Sequence, residues 1–457
     1  MSPSPTPREL TAQLFTAIER DRDEIIELLR DLVRIPTVNT GKMPTGNETA
    51  ACRYLEQRLD GLESQTIESA PDRGSFIARL PGTQSNRTLL LMGHLDVVPP
   101  GDESLWTYPP FSGEVHEGRV HGRGAIDCKT MVAAGAALLL LLRREQIPLA
   151  GDLCLAATAD EECGGHLGFR FLAREHPELL RADLAINEGG GRPASSPDGE
   201  QKFLIGVGEK GRVEVTICAK GTSTHAAMPW GAVNPLAISA EIVRRIVDHQ
   251  PTPRTTAPIF QHFQELFGID EQPTPENLER LLAIVAQADP KLAKMLRALS
   301  RMTLVPTMIR GGEKSNSIPD SCEVVCDSRL LPGQTVAELR ELVDELLAGF
   351  EGVEYTIEDT CHPSRTDFAE EHRGLLERAL AAALGEERVS CLPFYCTGFT
   401  DSHNTRGLDV PTYGFQPTHP VSDPRLAGIH CVNESASIDD LIFLTKSLGA
   451  LAVEFLA

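Results

Sequence analysis

Three stretches of this chain end an apolar run in groups that can hold a metal or move a proton. TLLLMGHLDVV delivers His94 and Asp96, LCLAATADEE delivers Glu161 and Glu162, and ADLAINEGGG delivers Glu188. Between the first and second, a glycine-rich turn in GRGAIDCK brings Asp127. Imidazole nitrogen and carboxylate oxygen together suit zinc, with cobalt or manganese as substitutes. So much carboxylate exceeds the needs of a one-metal structural site. It fits two metals sharing a carboxylate, about 3.5 to 4 Å apart, a pair that polarises a carbonyl and lowers the pKa of a water between them. Glu161 and Glu162 are neighbours on what reads as an extended segment, so their side chains diverge: one can bind metal while the other takes the water's proton. A single acid after a strand is usually a solvated loop residue or a helix cap. Four such sites feeding one sheet edge argue against that reading.

To converge, these residues need an α/β sheet. Leu89, Leu90, Leu91 and Met92 read as a strand covered on both faces, and in open sheets ligands gather beyond the carboxyl ends of the strands. The spacing predicts helices over residues 8–34 and 48–62, an apolar helix over 129–142, and a closing helix over 438–451. From about Glu209 the pattern changes. GRVEVTICAKG, NPLAISAEIVRRIVDH, TLVPTMIRGG, SCEVVCDSRLLPG, TVAELRELVDELLAGF and VEYTIEDTC follow the order βαββαβ of a small ferredoxin-like sandwich. The expected division is therefore residues 1–208 with 362–457, and residues 209–361 inserted between them. A helical insert at about 251–301, inside the second unit, carries no functional signal.

The chain has 457 residues, too many for one core. Lys plus Arg number 43 against 65 Asp plus Glu, a formal net charge of -22, which disfavours nucleic acid and anionic membranes as partners. Eleven scattered cysteines without a CxxC pair point to a reducing, cytoplasmic setting. No secretory leader pattern opens the sequence, and AAGAALLLLL is too short to span a bilayer.

In order, GHLDVV, GRGAIDCK, ADEECGG, NEGGG and IHCVNESASIDDL resemble the five metal-site motifs of the di-zinc aminoacylase, succinyl-diaminopimelate desuccinylase and glutamate carboxypeptidase superfamily. The resemblance covers nearly the whole chain. It implies a zinc-peptidase-like catalytic domain with a mixed central sheet, plus a lid and dimerisation domain. It makes His94, Asp127, Glu162, Glu188 and His430 the ligands of two zinc ions, with Asp127 bridging. By composition His403 and His419 rival His430, but only His430 precedes the NES segment and closing helix. Asp96 would orient His94, and Glu161 would be general base and then acid. A cis peptide between Asp127 and Cys128 is implied as well. His225, in TSTHAAMPWGAVNPL, would reach the active site of a partner subunit. Asn316 and Arg329 would bind substrate from the lid, Arg329 gripping a carboxylate, and Gly398 would form a pocket wall.

The expected function is hydrolysis of an amide in a small carboxylate-bearing substrate, an N-acyl amino acid or a short peptide, by a homodimer. Glu188 as the fourth ligand leans towards deacylase over dipeptidase or carboxypeptidase. A metal-free dimeric binding or scaffold protein is the alternative from another class, and lost ligands would be its mark. All five ligands and both acids are in place.

Overall fold

The computed structural model describes residues 5–194 and 196–457. Its larger sheet has ten strands among the described residues. Eight run in the order Glu63–Ala70, Arg73–Leu80, Asp152–Thr158, Thr88–His94, Leu184–Asn187, Thr412–Gly414, Lys202–Glu209, Ser364–Arg365; Ser390–Cys396 and Arg192–Ala194 also pair with Lys202–Glu209. The sheet is mixed. Thr88–His94 lies parallel to both Asp152–Thr158 and Leu184–Asn187, whereas Arg73–Leu80 pairs antiparallel with Asp152–Thr158.

The run of four apolar residues in Thr88–His94 serves both faces, since side chains alternate along a strand. Leu89 and Leu91 join a large core formed with helices Lys129–Arg144 and Ile438–Leu456, while Leu90 and Met92 join a smaller core with Phe169 and Leu172. A strand buried on both sides is held in register by every residue, which gives the histidine at its end a firm base.

The second sheet is antiparallel, in the order Thr303–Gly311, Ser321–Leu330, Gly211–Lys220, Val353–Cys361. In sequence order this is 2-3-1-4, and helices Pro235–Asp248 and Val336–Leu347 cover one face, the arrangement of a ferredoxin-like sandwich. Val213, Val215 and Ile217 point into that helix layer. Their neighbours Arg212 and Glu214 point the other way, and this polar face carries Asp327 and Arg329 opposite them in register.

Three local differences from the sequence reading have physical causes. Residues 8–34 form two helices, Pro7–Arg20 and Arg22–Arg34, because Asp21 breaks the ladder at φ -103°, ψ 22°. Glu161–Cys163 is a 3-10 turn, not an extended segment, entered through Asp160 in a left-handed conformation at φ 71°. The helical insert falls inside the smaller unit in sequence, yet its apolar residues Phe260, Phe263, Leu281 and Leu296 belong to the core of the larger sheet. Its short 3-10 segment Pro258–His262 packs on strand Ser390–Cys396. Amphipathic periodicity says that a face is buried, not which sheet buries it.

Candidate metal centre

Parallel strands explain why the acids meet. In register, His94 sits beside Thr158, so the chain leaves both strands at one edge, and Leu184–Asn187 ends at that edge on the far side and presents Glu188. Asp127 arrives where helix Lys129–Arg144 begins; the Asp127–Cys128 peptide is cis. Cys128 Sγ lies under this corner and accepts the His94 N–H at 3.2 Å.

His94 Nε2 stands 3.0 Å from Asp127 Oδ1 and 3.5 Å from Glu188 Oε1. His430 Nε2 stands 3.2 Å from Asp127 Oδ2 and 3.1 Å from Glu162 Oε2. Asp127 thus turns one oxygen to each histidine, the disposition a bridging carboxylate requires. Ligand atoms of His94, Asp127 and Glu162 all lie within 4.8 Å of one another. Of the three candidate histidines, His430 is the one at these acids. The His403 ring Nδ1 pairs with the Thr400 carbonyl at 2.7 Å, and the His419 ring packs edge-on against Phe443.

Asp96 is fully buried and does more than face His94. His94 Nδ1 is 2.9 Å from the Asp96 carbonyl and 3.5 Å from its Oδ1. The carboxylate itself accepts the N–H groups of Glu161 at 3.0 Å and Glu162 at 3.2 Å, and the Asn39 amide at 2.9 Å. One acid therefore orients the first histidine and the turn that carries both glutamates. In a 3-10 turn successive side chains point about a third of a turn apart. Glu162 reaches His430, and Glu161 does not share that contact.

The electrostatics favour a cation. Among the described residues only histidines ion-pair with Asp127, Glu162 and Glu188. Burial pushes the Glu161 carboxyl well above its usual value, with Glu188, Asp401 and Glu162 adding to it against the pull of His94. Burial likewise pushes Glu162 up to about 7, even against the lowering hydrogen bond from His430. Glu162 Oε1 is buried without a hydrogen-bond partner. Buried carboxylates in excess of their counter-charges are costly unless they are paired or coordinate metal. The donor set and its orphaned oxygen fit metal ions.

The three glycines after Glu188 have a steric reason. Gly189 and Gly191 have φ of 86° and 85°, and a Cβ on Gly190 would lie 2.0 Å from the Gly414 carbonyl oxygen. Only backbone this bare lets the strand end fold back against the next strand.

Arg329 lies on the open face of the smaller sheet, its Nε 2.8 Å from Asp327 and its guanidinium 5.9 Å from the ring centroid of Phe399. That ring follows Gly398, where a Cβ would meet open space. The next residue, Thr400, donates its N–H and hydroxyl to Glu209 at 3.1 and 2.8 Å, and Ser402 accepts from Asn187, the residue before Glu188. The Arg329 corner and the acid cluster are thus joined through one braced loop. His225 and Asn316 lie elsewhere. His225 is exposed in a two-residue ladder with Ser317–Ile318, its Nδ1 accepting the Ala227 N–H, and the Asn316 carbonyl accepts the Ala226 N–H.

Several residues of the site carried no sequence signal. Asn39 donates to both Asp96 and Asp160, and Asp160 also accepts from buried Arg73 at 3.1 Å, which in turn pairs with Glu48. Asp401, fully enclosed beside Glu161, was visible only as part of TGFTDSH.

A mixed sheet whose parallel strands deliver a buried histidine and carboxylate cluster suits a metal-dependent enzyme, and the relatives of the chain make it a metal-dependent amidohydrolase. The chain belongs to peptidase family M20/M25/M40, whose model matches residues 90–454. It is 26% identical over 449 residues to the N-fatty-acyl-amino acid synthase/hydrolase PM20D1 of Xenopus tropicalis, covering 94% of this chain and 85% of that protein. It is 35% identical over 255 residues to the succinyl-diaminopimelate desuccinylase of Paracoccus denitrificans, covering 54% of this chain and 58% of that one. Among solved structures, the M20 family metallo-carboxypeptidase Sso-CP2 from Sulfolobus solfataricus superposes with a TM-score of 0.72 at 20% identity, covering 94% of this chain and 98% of that one. Human carnosine dipeptidase 1 superposes with a TM-score of 0.71 at 17% identity, covering 99% of both chains.

Proposed function

We propose that this chain is a di-zinc hydrolase of N-acyl amino acids. Its catalytic unit comprises residues 1–208 and 362–457, against whose core the helical insert at about 251–301 packs, and the rest of residues 209–361 forms the lid through which it dimerises. The observation that carries this reading is Asp127 turning one oxygen to His94 and the other to His430, with Glu188 and Glu162 on the two sides. His94, Asp127 and Glu188 would hold one ion, and His430, Asp127 and Glu162 the other. When bound, the two ions supply Lewis acidity at the amide carbonyl and an acidified water. The protein's own groups do the rest. Glu161 takes a proton from the attacking water and returns it to the departing amine. Arg329, already aimed by Asp327, grips the free carboxylate of the substrate, and Gly398 leaves room beside it. His225 is offered to the site of the partner copy, to hydrogen-bond the carbonyl oxygen as charge develops there, and Asn316 binds substrate from the lid.

Dimerisation draws support from the edge strand Thr303–Gly311, which exposes Val305, Met308 and Ile309; exposed apolar side chains on an open edge invite strand pairing. No helix of the described residues is long and apolar enough to cross a membrane. All eleven cysteines are free, which supports work in a reducing cytoplasm.

The test is elemental analysis of protein purified without chelator, together with amine release from N-acyl amino acids and from dipeptides. The expected result is two metal ions per chain and faster turnover of the N-acyl amino acids. Preferred cleavage of dipeptides would move the assignment to the dipeptidase branch suggested by the carnosine dipeptidase fold. Metal-free protein that stays inert after zinc or cobalt is added would overturn the hydrolase reading in favour of a scaffold.

A further inference from the structure

Asp127 and His430 lie 303 positions apart in sequence, and the structure ties their loops together through one buried acid. Glu434 is fully buried, four residues after His430. Its Oε1 accepts the N–H of Ile126 at 3.2 Å and of Asp127 at 3.3 Å, and its Oε2 is 2.6 Å from Arg123 Nη1. Its own carbonyl accepts the Gly122 N–H at 2.9 Å. One residue of the His430 loop therefore contacts the turn at four points from 122 to 127.

Arg123 is equally enclosed. Its guanidinium lies 5.3 Å from the ring centroid of Trp106, whose indole N–H donates to the Pro100 carbonyl at 2.9 Å. The His430 loop is closed beneath Glu434 by Ser435 N–H to the Ala427 carbonyl at 3.0 Å and by antiparallel pairing of Ser435–Ser437 with Arg119–His121. His430 itself is half exposed, with φ of 58°, so neither packing nor a relaxed backbone holds it in place. A left-handed conformation in a side-chain-bearing residue persists only where its surroundings impose it.

We propose that Glu434 is a positioning residue for the metal centre: it holds the Asp127 backbone and the His430 loop in one geometry, so that the ion between Asp127, Glu162 and His430 finds its ligands preset. This rests on the di-metal reading of the site. The two oxygens of Glu434 have separate tasks. Oε1 orients the Asp127 backbone, and Oε2 neutralises the acid against Arg123. The division sets an order among variants. Glu434→Gln keeps an oxygen acceptor for the two N–H groups. Glu434→Asp keeps the charge but is one methylene too short to reach them, and Glu434→Ala loses both.

The experiment is a titration of metal-stripped protein with cobalt(II), followed by visible absorption and by competition with a chelator. Wild type is expected to bind two ions. Glu434→Asp and Glu434→Ala are expected to bind the ion of His430 and Glu162 about 10- to 100-fold more weakly, the range typical of groups that orient ligands, and the ion of His94 and Glu188, which shares only Asp127 with the released turn, with a smaller loss. They should also change the cobalt absorption band that the ion of His430 and Glu162 produces. Glu434→Gln is expected to retain most of the affinity. In stripped wild type, the Ile126 and Asp127 amides should exchange slowly with deuterium, a readout that needs no variant. Wild-type binding and spectrum in folded Glu434→Asp, loss in Glu434→Gln equal to that in Glu434→Asp, or unprotected Ile126 and Asp127 amides would each overturn the proposal. Wild type that binds no cobalt would overturn the ligand assignment itself, a different failure.

Discussion

Glu161 carries the largest chemical burden of any single side chain under this reading. Its surroundings suit a proton carrier: burial raises its affinity for a proton, and Glu188, Asp401 and Glu162 raise it further. Its N–H donates to Asp96, which ties the turn that carries it to the residue beside His94. Replacing Glu161 with Gln keeps size and hydrogen bonding but removes the transferable proton. The expected outcome is a fall in turnover of about 100- to 10,000-fold, with metal content unchanged in elemental analysis. Retained turnover would take the base away from Glu161. The neighbour Asn39 shows the limit of reading residues one by one. It lies 57 positions before Asp96, in a segment with no motif, and only folding brings its amide to both Asp96 and Asp160.

At the scale of elements, the parallel strands are the device that gathers the ligands, and the joints between elements decide how firmly they stay. One joint is Lys210, where the larger sheet gives way to the smaller. Its ammonium is buried and donates to the carbonyls of Ala298 at 2.9 Å and Arg301 at 2.7 Å, bolting the end of the helical insert to the first residues of the smaller sheet. Burial, with the charge of Arg329 adding to it, pulls its pKa from an ordinary 10.5 down to about 7. Between these two values the unfolded chain holds a proton that the folded chain lacks. The contribution of Lys210 to stability therefore rises with pH across that window. Melting temperatures of wild type and Lys210→Met, measured from pH 7 to 10, are expected to diverge in favour of wild type as pH rises. Parallel curves would show that the lysine stays charged when buried. None of this was legible in the insert's sequence, which announced helices but not the carbonyls that a distant lysine would cap.

For the whole molecule, the question is whether one chain is a complete catalyst. His225 is exposed on the smaller unit, in a ladder with Ser317–Ile318, while the edge strand of the smaller sheet shows Val305 at 50% and Ile309 at 57% exposure. Under the proposed function, a second copy covers that edge and offers its His225 to the acids. Ile309→Asp places a charge on the pairing edge without touching the metal ligands. Ultracentrifugation is expected to show a dimer for wild type and a monomer for the variant. Turnover should fall in the monomer while both metals stay bound. A fully active monomer would mean that His225 has no role in a neighbouring site.

What the sequence determined by itself was whatever is written locally. The doubly buried strand before His94, the βαββαβ order of the smaller unit and the resemblance of five motifs in order all depend on residue types at short spacing. The tertiary structure alone decided what depends on distant segments meeting. It set Asp96 under the Glu161–Glu162 turn, Arg73 and Asn39 around Asp160, the insert against the larger core, and Glu434 between the Asp127 turn and the His430 loop. The physical reason is that a buried polar group must find its partner wherever the fold puts one. Partners drawn from 57, 87 or 308 positions away leave no periodicity for a sequence to display.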